Sequence, residues 1–422
     1  MAVKKTIKIN HIAKMEGHTG FVAHILDGNV QKAKMETHEG ARLIEGILLG
    51  RDYFEVPIIT GRICGICPIV HFLSSTHAIE EAFKVKVSSQ TVALRKVMEH
   101  LQIMHSHGIH MYFLSLPDFF DIENDLNFIK KHPRETSAAL RVRQFAIDMV
   151  KLIGGRVVHP LTMEVGGFKK LPSIEEINQL LKNYNALMED AVFVAEFARD
   201  IKYPKFSNQN TFVALYDPKE YEILFGDIKT SEGKKYKVKE FYQTIKELHQ
   251  PFEKVKRTEY DQEPYFVGAL ARVNVNFDLL NPQAKKIWKS SGIAIPCYNS
   301  FYQTFAQAVE IIHSLEEIKK IFKQLGKIDQ KNIKVKVVPR AGEGWGAVEA
   351  PRGILLDYYK FDKKGKVLDA NVISPTAQFL ANLEKDLKAY LPQIYQMKAV
   401  ARKKKIRTLV RAYDPCISCA TH

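Results

Sequence analysis

Cysteine is scarce, with five in 422 residues. So small a number excludes a fold stapled by disulfides. The opening Met1-Ala2-Val3-Lys4-Lys5 leads into alternating residues rather than an apolar segment, so no signal peptide is expected. No uninterrupted apolar run of about 18 residues or more occurs, which excludes a transmembrane helix. Internal repeats and low-complexity tracts are absent, and solenoids and disordered arrays drop out with them. Acidic residues are outnumbered: 62 lysines and arginines face 47 aspartates and glutamates, for a formal charge of +15. Such an excess suits nucleic acid, an acidic partner or anionic lipid. The basic residues are dispersed, however, apart from one run between Arg402 and Arg407. No interleaved aromatic motif accompanies it, so it reads as a solvated surface.

Four of the five cysteines form two Cys-x-x-Cys pairs near opposite ends of the chain. The first is Arg62-Ile63-Cys64-Gly65-Ile66-Cys67; the second is Asp414-Pro415-Cys416-Ile417-Ser418-Cys419-Ala420-Thr421-His422. Four thiolates suit zinc, an iron–sulfur cluster or nickel. A zinc ribbon keeps its pairs much closer in sequence, and a dithiol redox motif explains only one pair. Spacing alone leaves a shared metal site, zinc and separate redox pairs open. Cys297, beside Pro296, is expected to be a buried structural thiol.

The hydropathy pattern reads as α+β and mainly helical, with long central helices and peripheral β-hairpins. Alternation over Thr6–Ile9 and an apolar run from Gly20 to Leu26 predict strands, with Asp27-Gly28-Asn29 as a hairpin turn. Pro68 predicts a helix start, with Cys67 at its N-cap and the body running to Phe83. His71 then falls one turn along, near enough to hydrogen-bond a ligating sulfur. Helices are further expected from Ser88 to Leu116, Arg134 to Ile153, Ser173 to Asp200, Asn299 to Leu325 and Thr376 to Leu391. Strands are expected over Lys334–Arg340, Arg352–Val367 and, from its alternation, Ile406–Tyr413. His100, His105, His107 and His110 lack a shared i, i+4 face and read as packed or interface histidines. The chain reads as one domain over 1–422, with 204–265 a lysine-rich α/β excursion.

The residues flanking the two cysteine pairs resemble the metal-binding motifs of [NiFe]-hydrogenase large subunits. Glu16-Gly17-His18, Glu45 with Gly50-Arg51, and Glu349-Ala350-Pro351-Arg352-Gly353 resemble further elements of that family. The likeness spans residues 14 to 422 and is greater to its cytoplasmic, bidirectional branch. It implies the large-subunit fold and reversible heterolytic cleavage of dihydrogen. Cys64 and Cys416 would be terminal ligands of nickel; Cys67 and Cys419 would bridge nickel to an iron carrying carbonyl and cyanide. Glu16 would relay protons from Cys416. Arg352 would overhang the open coordination position, with Asp118 and Asp414 as its carboxylate partners. Glu45, the Leu380 carbonyl and His422 would hold magnesium. The partners implied by the resemblance are a small subunit with iron–sulfur clusters, a flavoprotein using NAD(P) or a deazaflavin, and maturation proteins, but no nucleic acid or direct membrane span. Family precursors are trimmed after the histidine matching His422, and an end there resembles the trimmed form. Lys14, Asp357 and Phe379 depart from residues usual in the family. Two other readings compete: a metal-free relative within a quinone-reductase-type complex, which lacks such cysteines, and a zinc-stabilised basic nucleic-acid-binding protein, which fits the charge but not the spacing.

Overall fold

The computed structural model describes residues 4–248 and 254–421. Its N-terminal sheet is antiparallel, with Thr19–Leu26 paired to Lys4–Ile9 on one side and Asn29–Thr37 on the other. Asp27 and Gly28 both take positive φ (49° and 82°), the twist that a two-residue hairpin turn requires.

The centre is helical. The Ser89–Ile109 helix, capped by the Ser88 hydroxyl accepting from the Thr91 N–H, packs against Pro133–Gly154 and Gln303–Leu325. At His110 it widens into a π-helical turn, His110–Ser115, before the short Leu116–Phe119 helix around Pro117. The expected Ser173–Asp200 helix is two: Ile174–Leu181, opened by the Ser173/Glu176 capping box, and Tyr184–Arg199.

Beside the helices lies a second antiparallel sheet, Gly342–Ala350, Gly353–Phe361 and Val367–Ile373. Its first strand packs on the Pro68–Phe83 helix through Gly342, Gly344 and Gly346. A Cβ on Gly344 would lie 1.9 Å from the Ala78 carbonyl oxygen, and one on Gly346 2.1 Å from that of Ser74. Two strand residues rise roughly 6.6 Å and four helical residues roughly 6.0 Å, so every second glycine meets every fourth helical residue. Pro351 and Arg352 are the two-residue tip between the first two strands, Ala350 pairing with Gly353.

Three further sequence expectations change. Lys334–Arg340 is no strand; Lys334 makes one isolated bridge to Gly167. Ile406–Ala412 belongs to a helix, Ala399–Ala412, with Tyr413 as its C-cap, because buried Ile406, Leu409 and Val410 follow i, i+3, i+4 rather than alternation. Within 204–265, the strand Thr211–Tyr216 is core rather than periphery: Leu215 N donates to Glu349 Oε1 at 2.7 Å.

Asp357 lies fully buried on the middle strand, its Oδ2 3.3 Å from the Tyr359 hydroxyl. Burial pushes its carboxyl up to about 8. An unfolded chain releases this proton near pH 4, so stability is lost as pH rises from about 4 to 8 and levels off above. Asp357→Asn should remove that slope and be more stable than the parent at pH 8, by on the order of 2–5 kcal/mol. Denaturant unfolding at pH 5 and pH 8 checks this; a stability difference that does not grow with pH would refute it.

Candidate metal centre

Each cysteine pair is shaped by backbone contacts that need no metal. Cys67 is the N-cap of the Pro68–Phe83 helix, with Pro68 in the first helical position. Gln102 secures the loop from across the bundle, donating to the Ile66 carbonyl (2.6 Å) and accepting from Ile69 N (3.2 Å). The second pair follows the Ala399–Ala412 helix, and Cys416 N donates to the Thr376 hydroxyl at 3.0 Å. Arg42 joins the two loops, giving Nη1 to the Ile63 carbonyl (2.7 Å) and Nη2 to that of Ser418.

The four sulfurs meet, all buried and none in a disulfide. Cys64 Sγ is 3.9 Å from Cys416 Sγ, and Cys67 Sγ is 3.8 Å from Cys419 Sγ. Those of Cys64, Cys67 and Cys419 lie within 4.8 Å of one another. Thiolates on one tetrahedral metal, with bonds near 2.3 Å, sit roughly 3.8 Å apart. Hydrogen bonds from Cys416, Cys419 and Cys67 hold Cys64 well below the usual thiol range. Burial pushes Cys416 up, and hydrogen bonding to Cys416, Cys64 and Cys67 does the same to Cys419. Cys67 is also raised: its bond with Cys419 pulls down but is outweighed by Cys64 and burial. A dry pocket that favours one negative charge among four sulfurs needs a cation to ionise the rest, which is the electrostatic condition for a soft metal. The residues present fit one.

Glu16 reaches the same cluster from the N-terminal loop. Its Oε2 accepts from Cys416 Sγ at 3.1 Å and from Ser418 N at 3.2 Å, and its Oε1 from the Ser418 hydroxyl at 2.7 Å. The backbones also touch, Ile417 N donating to the Glu16 carbonyl at 3.0 Å. Gly17 makes this approach possible: its φ is +87°, and a Cβ there would stand 2.8 Å from that of Ile417.

Arg352, at its hairpin tip, is buried and fixed by Asp414: Nε donates to the Asp414 carbonyl (2.8 Å) and Nη2 pairs with Oδ1 (2.9 Å). Nη1 has no hydrogen-bond partner among the described residues, and the guanidinium lies in the field of Cys416, Cys67 and Cys64. Asp118 is not its second partner. Its two oxygens instead accept from Arg411 Nη1 at 2.7 and 2.8 Å, because the helix before Asp414 turns Arg411 toward it.

The expected magnesium ligands are placed differently. Glu45 Oε1 lies 2.6 Å from Lys256 Nζ, which also meets Asn371 Oδ1 (2.8 Å), Glu247 Oε2 and the Val372 carbonyl (both 3.4 Å). These are hard oxygens gathered round a positive charge, a donor set that suits a hard cation. Leu380 is fully buried inside the Pro375–Ile394 helix, where its carbonyl belongs to the helical ladder; the carbonyl in this group is that of Val372. His422 lies outside the described residues. His71 is buried, one turn into the Pro68–Phe83 helix.

Sequence reasoning missed Arg42, Gln102 and Thr376, which shape the cysteine loops through backbone contacts no spacing rule encodes. The histidines read as packed are packed: burial pushes His100 and His105 down to about 3 and 4. Cys297 is likewise buried, and its thiol is pushed up to about 11 by burial.

A profile of the family described as nickel-dependent hydrogenase matches residues 42–139 and 221–422. The alpha chain of sulfhydrogenase 2 from Pyrococcus furiosus is 30% identical over 419 residues, spanning 99% of this chain and 98% of that protein. The corresponding chain of sulfhydrogenase 1 from the same organism is 31% identical over 428 residues, spanning 99% and 97%. Among solved structures, an NAD+-reducing [NiFe]-hydrogenase in the H2-reduced state superposes with a TM-score of 0.86 at 23% identity, covering 99% of both chains. The [NiFeSe]-hydrogenase of Dm. baculatum does so at 0.79 and 23%, covering 100% of both. These superpositions establish a shared α+β, mainly helical fold.

Proposed function

Since the chain belongs to the nickel-dependent hydrogenase family, we propose that it is the catalytic subunit that cleaves dihydrogen heterolytically and reversibly, at a nickel–iron centre held by Cys64, Cys67, Cys416 and Cys419. The observation that carries this reading is the convergence of four buried sulfurs from both ends of the chain, with separations suited to one metal site. When bound, the nickel–iron pair, its iron bearing carbonyl and cyanide, supplies the Lewis acid and the redox couple.

The chain's own groups handle the proton. A proton taken up at Cys416 Sγ passes to Glu16 Oε2, 3.1 Å away. Ser418 keeps that carboxylate aimed at the sulfur through its N–H and hydroxyl. Arg352 places a desolvated positive charge beside the sulfurs, and Asp414 fixes its orientation while Nη1 stays available. A magnesium ion is proposed at Glu45 and His422, apart from the proton chemistry. Metal analysis tests the reading: nickel and iron in equal amounts, with carbonyl and cyanide infrared bands, are expected. Zinc alone would point to a structural site, and no metal to a non-catalytic relative.

Both electrons must leave through a partner, because the four paired cysteines are taken and Cys297 is alone. An iron–sulfur subunit is proposed to dock where exposed apolar side chains collect beside the first pair: Leu43, Ile47, Phe54 and Ile58, with Val158 and Leu161. His159 ties the two segments together, its Nδ1 lying 2.9 Å from the Gly61 carbonyl. Phe54 is 56% and Leu161 55% exposed, unusual for side chains so apolar, and Gly65 at the crown of the cysteine loop is exposed too. Phe54→Asp with Ile58→Asp should leave folding intact but cut co-purification of the iron–sulfur partner at least tenfold. Undiminished co-purification would place the interface elsewhere. No helix among the described residues is long and apolar enough to cross a membrane. The enzyme is proposed to act in the cytoplasm, passing electrons onward to a flavoprotein that uses NAD(P) or a deazaflavin, with maturation proteins loading its metals.

A further inference from the structure

We propose that Tyr413 is a positioning residue for the metal centre: its phenol hydroxyl fixes the backbone at Asp414, and through Asp414 the aim of Arg352 at the sulfurs. The consequence for turnover rests on the hydrogenase reading, but the geometry does not.

Asp414 serves Arg352 twice. Its carbonyl accepts from Nε at 2.8 Å, and its Oδ1 pairs with Nη2 at 2.9 Å. Its backbone takes a φ of +54°, uncommon for a residue with a side chain, and Pro415 directly follows. Cys416, the first sulfur of the second pair, comes one residue later. A backbone of this kind persists only where its surroundings over-determine it. On the page, those surroundings are an anchor on each side.

Before Asp414, the fixed point is the Tyr413 side chain. Its hydroxyl donates to Asp386 Oδ2 and accepts from Asn382 Nδ2 at 2.9 Å. Asp386 is itself held: fully buried, it also accepts from the Ser300 hydroxyl and from Asn208 Nδ2 at 2.7 Å. After Asp414, Cys416 N donates to the Thr376 hydroxyl at 3.0 Å. Thr376, Asn382 and Asp386 all belong to the Pro375–Ile394 helix, so one rigid element grips the loop on both sides of Asp414. The phenol ring cannot supply this hold alone. It lies tilted against Phe266 and Phe379, with centroids 4.8 and 5.6 Å away. Apolar contact is non-directional and lets a ring slide or turn, whereas two short hydrogen bonds fix both its reach and its orientation.

The test compares the assembled enzyme with Tyr413→Phe, which removes the hydroxyl and keeps the ring. Nickel and iron per chain should be unchanged, kcat per bound nickel about 3- to 30-fold lower, and KM for dihydrogen within twofold. The carbonyl and cyanide infrared bands should move, because the guanidinium's field at the centre changes. A variant that loses thermal stability but keeps parental kcat per nickel and parental bands would overturn the positioning role. Should Tyr413→Phe fail to assemble, Asn382→Ala leaves the phenol and withdraws one of its partners. The same fall and the same band movement are expected there, and parental values would overturn the proposal equally. Crystal structures of parent and variant give a reading independent of turnover: the Asp414 contacts to Arg352 should lengthen, and unchanged contacts would overturn it. Parent protein without nickel and iron would instead sink the hydrogenase reading, and the crystallographic comparison would still decide the role of Tyr413.

Discussion

Cys419→Ser yields a folded chain that retains neither nickel nor iron and turns over no dihydrogen. The expected loss is at least about 10⁴-fold, because the hydroxyl replacing the thiol is a poor ligand for a soft metal. Its sulfur stands 3.8 Å from that of Cys67, so removal breaks the pairing between the two ends of the chain. The metal-free chain should hardly notice. Hydrogen bonding to three neighbouring thiols holds Cys419 in its neutral form there, and serine is neutral too. Metal content and thermal unfolding, measured on the same sample, separate these effects. Stoichiometric nickel in the variant would contradict a shared site; general unfolding without metal would mean that the sulfur is needed for packing instead.

Glu16→Gln has the opposite signature: full metal content with turnover reduced by about 10²–10⁴-fold, the usual range for losing a positioned acid–base group. The amide fills the same space and still accepts from Ser418 through its oxygen, but it cannot take a proton from Cys416. Exchange between deuterium gas and water measures this step without the electron-transfer partner, and it should fall in parallel with turnover. Near-parental exchange would remove Glu16 from the proton route. Glu16→Asp keeps the acid but shortens its reach, so an intermediate rate is expected.

Much of the centre was readable because its ligands are adjacent in sequence and chemically distinctive. Two Cys-x-x-Cys pairs, a Glu-Gly-His turn and an Ala-Pro-Arg-Gly turn each announce a local geometry. The partner of Asp118 was not readable. Arg411 lies in a segment whose apolar residues fit both alternation and a helical stripe over a short span, and the helical solution rotates Arg411 onto Asp118. The strand Gly342–Ala350 was missed for a related reason. Its glycines read as loop signals, whereas their missing side chains serve close packing. Around Glu45, Lys256 is distant in sequence, and only the folded chain puts its ammonium beside that carboxylate.

The seam between Gly344, Gly346 and the helix that starts at Pro68 has a mechanical meaning. One jaw of a calliper carries Cys67 at its end, the other carries Arg352 at the hairpin tip, and the seam is the tightened screw. Guanidinium and sulfur therefore hold a fixed gap with no bond between them, and a methyl group inserted at residue 346 would reset that gap from a distance.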